Sequence, residues 1–150
     1  MLEIEVKYKG VPLKEVRQNV TERMMEAVKS LSVYVWKQAI DYAPRRTGTL
    51  KRSITVSNPM LGAEGLTAII RAGAGIKYAP YVEFGTRPHE IRPRRAKVLH
   101  WISEGEHVFA RRVRHPGTRG QFFMRRAFED GEKKASEIFN KFLSIAIGEE

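Results

Sequence analysis

The spacing of apolar residues changes twice along this chain, and the changes divide it into elements. Residues 2–8, LEIEVKY, alternate apolar and charged side chains, the period-two pattern of a half-buried strand. Gly10 and Pro12 end it. From Leu13 the period becomes three to four. Leu13, Val16, Val20, Met24, Ala27, Leu31, Val35, Ala39 and Tyr42 fall on one helical face. Pro44 cannot continue a helix and disfavours helical geometry just before itself, so a helix is predicted over about 13–42. At 1.5 Å per residue such a helix spans roughly 45 Å. One small core cannot cover that length evenly, so part of it is expected to meet a neighbouring subunit.

Beyond the helix, APRRTGTL reads as a turn punctuated by Pro44 and Gly48. Residues 49–57, with Ile54, Thr55 and Val56, predict a strand, NPMLGAEG a loop, and LTAIIRAG (66–73) a second strand pairing antiparallel with the first. AGAGIKY lacks the Gly-Lys-Ser/Thr ending of a phosphate loop and reads as a connector. In APYVEF (79–84), Pro80 suits the first helical turn and Gly85 the position past the end. A short helix is predicted, anchored by Tyr78, Tyr81, Val82 and Phe84. TRPHEIRPRRAK then reads as an extended arm or loop. KVLHWI and HVFARRVR flank SEGE and predict a hairpin turning at Gly105; HPGTRG is a further loop. From Gln121 a helical period resumes through Phe123, Ala127, Phe128, Ala135, Ile138, Phe142 and Ile145, weakened midway by Gly131 and ending near Gly148. This order predicts an α+β class in one domain over 1–150. An antiparallel sheet would pack against a long N-terminal helix and a C-terminal helix, with a protruding basic arm or hairpin.

Composition narrows the chemistry. A hydrophobic content of 42% over 150 residues suits one globular domain. No apolar run approaches the ~18 residues of a membrane span, and MLEIEVKYKG lacks the basic start and apolar core of a signal peptide. The absence of cysteine excludes disulfides and thiolate metal sites. Net charge is +10, unevenly spread: residues 85–126 carry eleven basic and three acidic side chains, whereas 127–150 carry a net −3. A stripe this basic suits a polyanion or carboxylates on another subunit, the plainer alternative being a solvated surface.

Glu83 is the one acid in its neighbourhood before Glu90, near the C-terminal end of the short helix, where the dipole disfavours negative charge. An ion pair with Arg87, Arg45 or Arg46 is expected, a structural role rather than that of a general base. Ser53, Ser57, Ser103 and Ser136 sit in no nucleophile-elbow pattern. His89, His100, His107 and His115 lack metal-ligand helical spacing, although His100 and His107 can face each other across the hairpin. No catalysis, metal or cofactor is expected. His89, Trp101, Phe109 and Phe122 interleave with the cations, which suits phosphate contact with base stacking. Arginine and aromatic residues equally enrich protein interfaces, so composition leaves both partners open.

Motifs add a resemblance. APRRTGTLKRSI (43–54), YAPYVEFGT (78–86), HEIRP (89–93) and VRHPGTRGQFFMRRAF (113–128) occur in this order. Together they resemble the minor tail-component family of long-tailed bacteriophages, also called head–tail joining or tail-completion proteins, over roughly residues 12–146. Pro44, Thr47, Gly48, Leu50, Ser53 and Ile54 match the family's first pattern, with Arg46 where the family usually has aspartate. Tyr78, Ala79, Tyr81, Val82, Glu83, Phe84, Gly85 and Thr86 match the second, and His115, Pro116, Gly117 and Phe123 the third.

The resemblance implies a non-enzymatic virion protein at the head–tail junction, assembled in the host cytoplasm. Copies would form a ring, commonly a hexamer, between the head connector and the tail tube or terminator proteins. Packaged DNA would be a further partner of the basic segment, with no membrane involved. The expected subunit or partner interface comprises Tyr78, Tyr81, Glu83, Phe84, Gly85, Thr86, Arg87, Arg92, Arg94, Arg95, His115, Pro116 and Gly117, with Pro44, Thr47 and Gly48 as a structural turn. The alternative is a basic nucleic-acid-binding protein that assembles no ring.

Overall fold

The first helix, α1 (Leu13–Tyr42), has the extent that its periodicity and Pro44 predict. The computed structural model describes residues 13–63 and 65–146; the strand expected at 2–8 lies outside them. Ala27, Val35 and Ala39 form the buried stripe of α1. Against it packs α4 (Phe123–Ala146). By propensity Gly131 is a weak point in α4, costing about 1 kcal/mol relative to alanine. The fold supplies the reason for it: a Cβ at Gly131 would collide with Val35 Cγ2. Missing side-chain volume there lets the two helices come together.

Residues 49–57 do not form the single strand expected. Gly48 adopts φ 74°, and one helical turn, α2 (Thr49–Arg52), follows it. Leu50 and Ile54 are four residues apart and both buried, which is helical spacing, not the period of two a strand requires. The Ser53 hydroxyl donates to Leu50 O at 2.6 Å and closes the turn. Only then does β1 (Thr55–Val56) begin. The expected loop 58–65 instead holds most of a small antiparallel pair, β2 (Met60–Gly62) with β3 (Gly65–Thr67). After it comes β4 (Ile70–Arg71), which pairs antiparallel with β1, so the expected partnership holds over a shorter stretch.

The short helix is present as α3 (Ala79–Phe84), with Pro80 in its first turn and Gly85 just beyond. Its anchors differ from those expected. Ala79 and Glu83 are buried and Val82 packs on the core, whereas Tyr78, Tyr81 and Phe84 are exposed. Positions 79, 82 and 83 lie three and four apart, so they share the inward face.

Residues 85–119, expected as an extended arm, a hairpin turning at Gly105 and a further loop, form a nested antiparallel ribbon. The outgoing strands are β5 (Gly85–Thr86), β6 (His89–Ile91) and β7 (Leu99–Ser103); the returning ones are β8 (Glu106–Ala110), β9 (Val113–His115) and β10 (Thr118–Arg119). β5 pairs with β10, β6 with β9 and β7 with β8. Cross-strand pairing therefore accounts for both expected loops. Glu104 and Gly105, with φ 53° and 87°, make the tight turn at the tip, as the glycine there predicts. The α+β class holds, but the single sheet does not. Among the described residues the strands make five separate two-stranded pairs. The core is instead α1 on α4, closed by Leu50, Ile54, Ala79 and Phe123. Trp36 secures it by donating its indole N–H to Ile54 O at 2.9 Å.

Candidate functional site

The three motifs converge where α3 meets the start of α4. The sequence before α4 offers no Ser, Thr, Asp or Asn to cap it; Phe122 stands there, at φ 50°. The first N–H groups of a helix have no partner within it. Glu83 provides one from 41 residues away. Its carboxylate accepts from Met124 N–H at 3.0 Å and from Arg125 N–H at 3.1 Å. A carboxylate at this end also meets the positive pole of the helix dipole. The expected ion pair with Arg87, Arg45 or Arg46 is not made; among the described residues no cation pairs with Glu83. The α3 dipole disfavours this charge, but the stronger influence is the uncapped helix it faces. Backbone bonds reinforce the clasp: Gln121 N–H donates to Val82 O at 2.9 Å and Phe122 N–H to Glu83 O at 3.1 Å.

The other motif residues have similar work inside the chain. Gly85 passes against the returning strand, where a Cβ would strike Thr118 O. Thr86 accepts from Thr118 N–H at 3.0 Å and shares a hydroxyl contact with Thr118 Oγ1. Gly117, at φ 89°, abuts Thr86 O, and its N–H donates to His115 Nδ1 at 3.0 Å. Thr47 accepts from Thr49 N–H at 3.4 Å, and the Ser53 hydroxyl accepts from Gly73 N–H at 2.9 Å. Pro44, Thr47 and Gly48 line one side of a cavity of about 560 Å³, with Tyr78 and Val82 opposite.

What these contacts leave outside is the candidate surface. Tyr78, at the N-cap of α3, and Tyr81 and Phe84 on it are 46%, 60% and 72% exposed. Arg87, Arg92, Arg94, Arg95 and Pro116 are exposed on the ribbon beside it. Glu90 draws two cations together, pairing with Arg92 and lying 3.8 Å from Arg112. Histidines meet in pairs across the ribbon. His89 and His115 stack with ring centroids 5.1 Å apart, and His100 Nε2 lies 2.7 Å from His107 Nδ1 as expected of the hairpin. Among the described residues no group of three or more potential ligands could hold a metal. Sequence reasoning passed over the exposed Ile102 on the hairpin, named Phe109 only as an aromatic among the cations, and gave Phe128 to the apolar face of α4, where it is instead exposed. Apolar residues on both faces of β7 and β8 were the available signal.

Where α1 ends against α4, the Tyr42 hydroxyl donates to Asp130 Oδ2 at 2.5 Å. That bond, with Lys133 at 3.0 Å, holds the Asp130 carboxyl below the usual carboxylate value. The same bond raises the Tyr42 phenol. Asp130 and Glu137 in turn raise Lys133 and Lys134. Arg126 completes the group, its guanidinium 4.1 Å from the centre of the Tyr42 ring. These contacts fasten α1 to α4.

Residues 12–85 match the model of the HK97-gp10-like family, described as "Bacteriophage HK97-gp10, putative tail-component". The matched stretch holds the first motif and nearly all of the second, and it ends at the residue where the ribbon begins. The match spans just under half of the chain and makes that part similar to a family of putative phage tail components. No curated protein and no solved structure matches the chain. Among the described residues no helix is long and apolar enough to cross a membrane.

Proposed function

We propose that this tail-component chain is a tail-completion or head–tail joining subunit, non-enzymatic, assembling with other copies into a ring between the head connector and the tail tube or terminator. Its place would be the head–tail junction of the virion, reached by assembly in the host cytoplasm. One observation carries the reading furthest. Glu83, the one carboxylate among the matched motif positions, is occupied within the chain, while Tyr78 at the cap of α3 and Tyr81 and Phe84 on it are exposed beside a cationic ribbon. Exposed aromatic area of this kind marks protein contact.

Sedimentation of nuclease-treated protein over a range of concentrations, alone and with purified connector, tests it. Rings or connector-bound oligomers are the expected result. A chain that remains monomeric under both conditions overturns it.

A second reading has an observation of its own. Arg87, Arg94, Arg95 and Arg111 have no carboxylate partner among the described residues. A two-stranded ribbon fits the DNA major groove, and unpaired arginines suit phosphates. Retardation of duplex DNA at moderate salt by a strict monomer would favour that reading over the ring.

A further inference from the structure

The ribbon is divided by chemistry along its length. Residues 98–110 contain no lysine or arginine and two glutamates, Glu104 and Glu106. On either side the cations crowd: four between residues 92 and 97, three between 111 and 114. A ribbon made for phosphates would carry its positive charge out to the tip. Here the tip is apolar and slightly acidic, the wrong sign for DNA.

The tip is also uncovered. Pairing of His100 with Phe109 and of Ile102 with His107 puts these four side chains on one face. All four are exposed, Ile102 and Phe109 at 63% each. Leu99, Trp101, Val108 and Ala110 share the opposite face. β7 and β8 pack on each other and on little else. An isolated two-stranded hairpin is marginally stable in water, and apolar residues on both faces call for a covering layer.

The chain itself presents a surface that fits. Phe128 is 60% exposed on α4, with Glu129 and Glu132 exposed beside it. Residues 127–150 carry a net −3 against the +8 of residues 85–126. Glu129 is held only by an exposed pair with Arg125, an interaction weak enough to exchange partners. An apolar tip between cations thus faces an apolar residue among carboxylates. Two different patches on one chain make a head-to-tail contact, the type that closes rings.

We infer that the β7–β8 tip is a docking element that seats on α4 of a second copy, Ile102 and Phe109 covering Phe128 while the cations at its base meet Glu129 and Glu132. This rests on the ring reading and deepens it by naming the contact.

The test uses the full chain, nuclease-treated, alone and on connector. Ile102→Ser with Phe109→Ser alters two exposed side chains, so the melting temperature should stay unchanged while association falls by at least about tenfold. Replacing residues 99–110 by a short glycine turn should give a folded subunit that no longer associates. Reversing charge with Glu129→Lys and Glu132→Lys should weaken assembly, and adding Arg111→Glu and Arg112→Glu to the same chain should restore it. Wild-type association by the tip variants, or no rescue by the double reversal, overturns the inference. The readings separate cleanly. If tip variants still form rings on connector, the ring stands and this contact falls. If the wild type never associates, both fall. DNA binding that disappears with Ile102→Ser and Phe109→Ser would assign the tip to nucleic acid and overturn it as well.

Discussion

The helical body and the ribbon both hold distant chain segments together, but they do so with different materials. In the body, α1 meets α4 through small residues, and Phe123 is buried to 1% exposure. Apolar burial supplies the stability there, at roughly 25 cal/mol per Å² removed from water. In the ribbon, the strands are held by backbone pairing, a threonine pair and two histidine pairs, while Ile102 and Phe109 stay in solvent. The body therefore spends its motif residues on folding itself. The ribbon retains apolar and cationic groups that its own fold does not use, and those are available to partners.

Substitutions at matched positions bring this contrast out most strongly. Phe123→Ala should destabilise by about 3–5 kcal/mol, because it empties a closed core. Phe109→Ala should stay within about 0.5 kcal/mol in the free subunit. Chemical denaturation of both variants measures the two values. Equal losses would erase the distinction between body and ribbon.

Glu83 stands at the joint between them. Glu83→Ala leaves two helix N–H groups without an acceptor and should cost about 1–3 kcal/mol. Glu83→Gln keeps one oxygen and loses the charge at the helix pole, so it should fall between alanine and wild type. Amide exchange at Met124 and Arg125 should accelerate in the same order. Unchanged exchange in the alanine variant would show that the cap is idle.

Acid titration of an Asp130 variant probes the body. The Asp130 carboxyl has a folded value lowered below its ordinary 3.8 by the Tyr42 hydroxyl and Lys133. Its contribution is present above the ordinary value and is lost as pH falls through the lower folded one. Asp130→Asn should therefore differ from wild type at neutral pH, and the difference should vanish in strong acid. A difference that persists there would mean that charge at Asp130 is not the cause.

The smallest expected effect lies at the base of the ribbon. Arg94→Ala with Arg95→Ala, both exposed, should leave thermal stability within about 0.5 kcal/mol while weakening any salt-sensitive association. A marked loss of stability would mean that the ribbon, like the body, depends on these residues for its fold.

The contrast also explains what was legible in the sequence. Long apolar periodicity marks packed helices, so α1 was readable from end to end and α4 nearly so. Glycine at a tight turn marks a hairpin, so the β7–β8 tip was readable too. Local signals failed where the deciding partner is remote. Ile54, Thr55 and Val56 carry strand propensity and drew residues 49–53 into the expected strand, but burial of Leu50 and Ile54 on one side selects a helical turn. Tyr78, Tyr81 and Phe84 look like anchors by composition, yet helical spacing gives the inward face to Ala79, Val82 and Glu83. Glu83 shows the limit most clearly. Its ligands are backbone N–H groups 41 and 42 residues further on, which carry no side-chain signature. Of the residues that the family motifs single out, Glu83, Gly85, Thr86 and Gly117 have internal duties in the structure.

The clasp at Glu83 has a consequence for how such chains diversify. The ribbon leaves the body at Gly85 and returns by Gly120, and the bonds from Gln121, Phe122, Met124 and Arg125 pin its two ends side by side. Closing a longer excursion between points already held together costs little: each doubling of length adds only about 0.6 kcal/mol. The segment between them can therefore lengthen, shorten or be exchanged for another without disturbing the α1–α4 core. A partner of different shape can thus be met by replacing one insert on an unchanged frame.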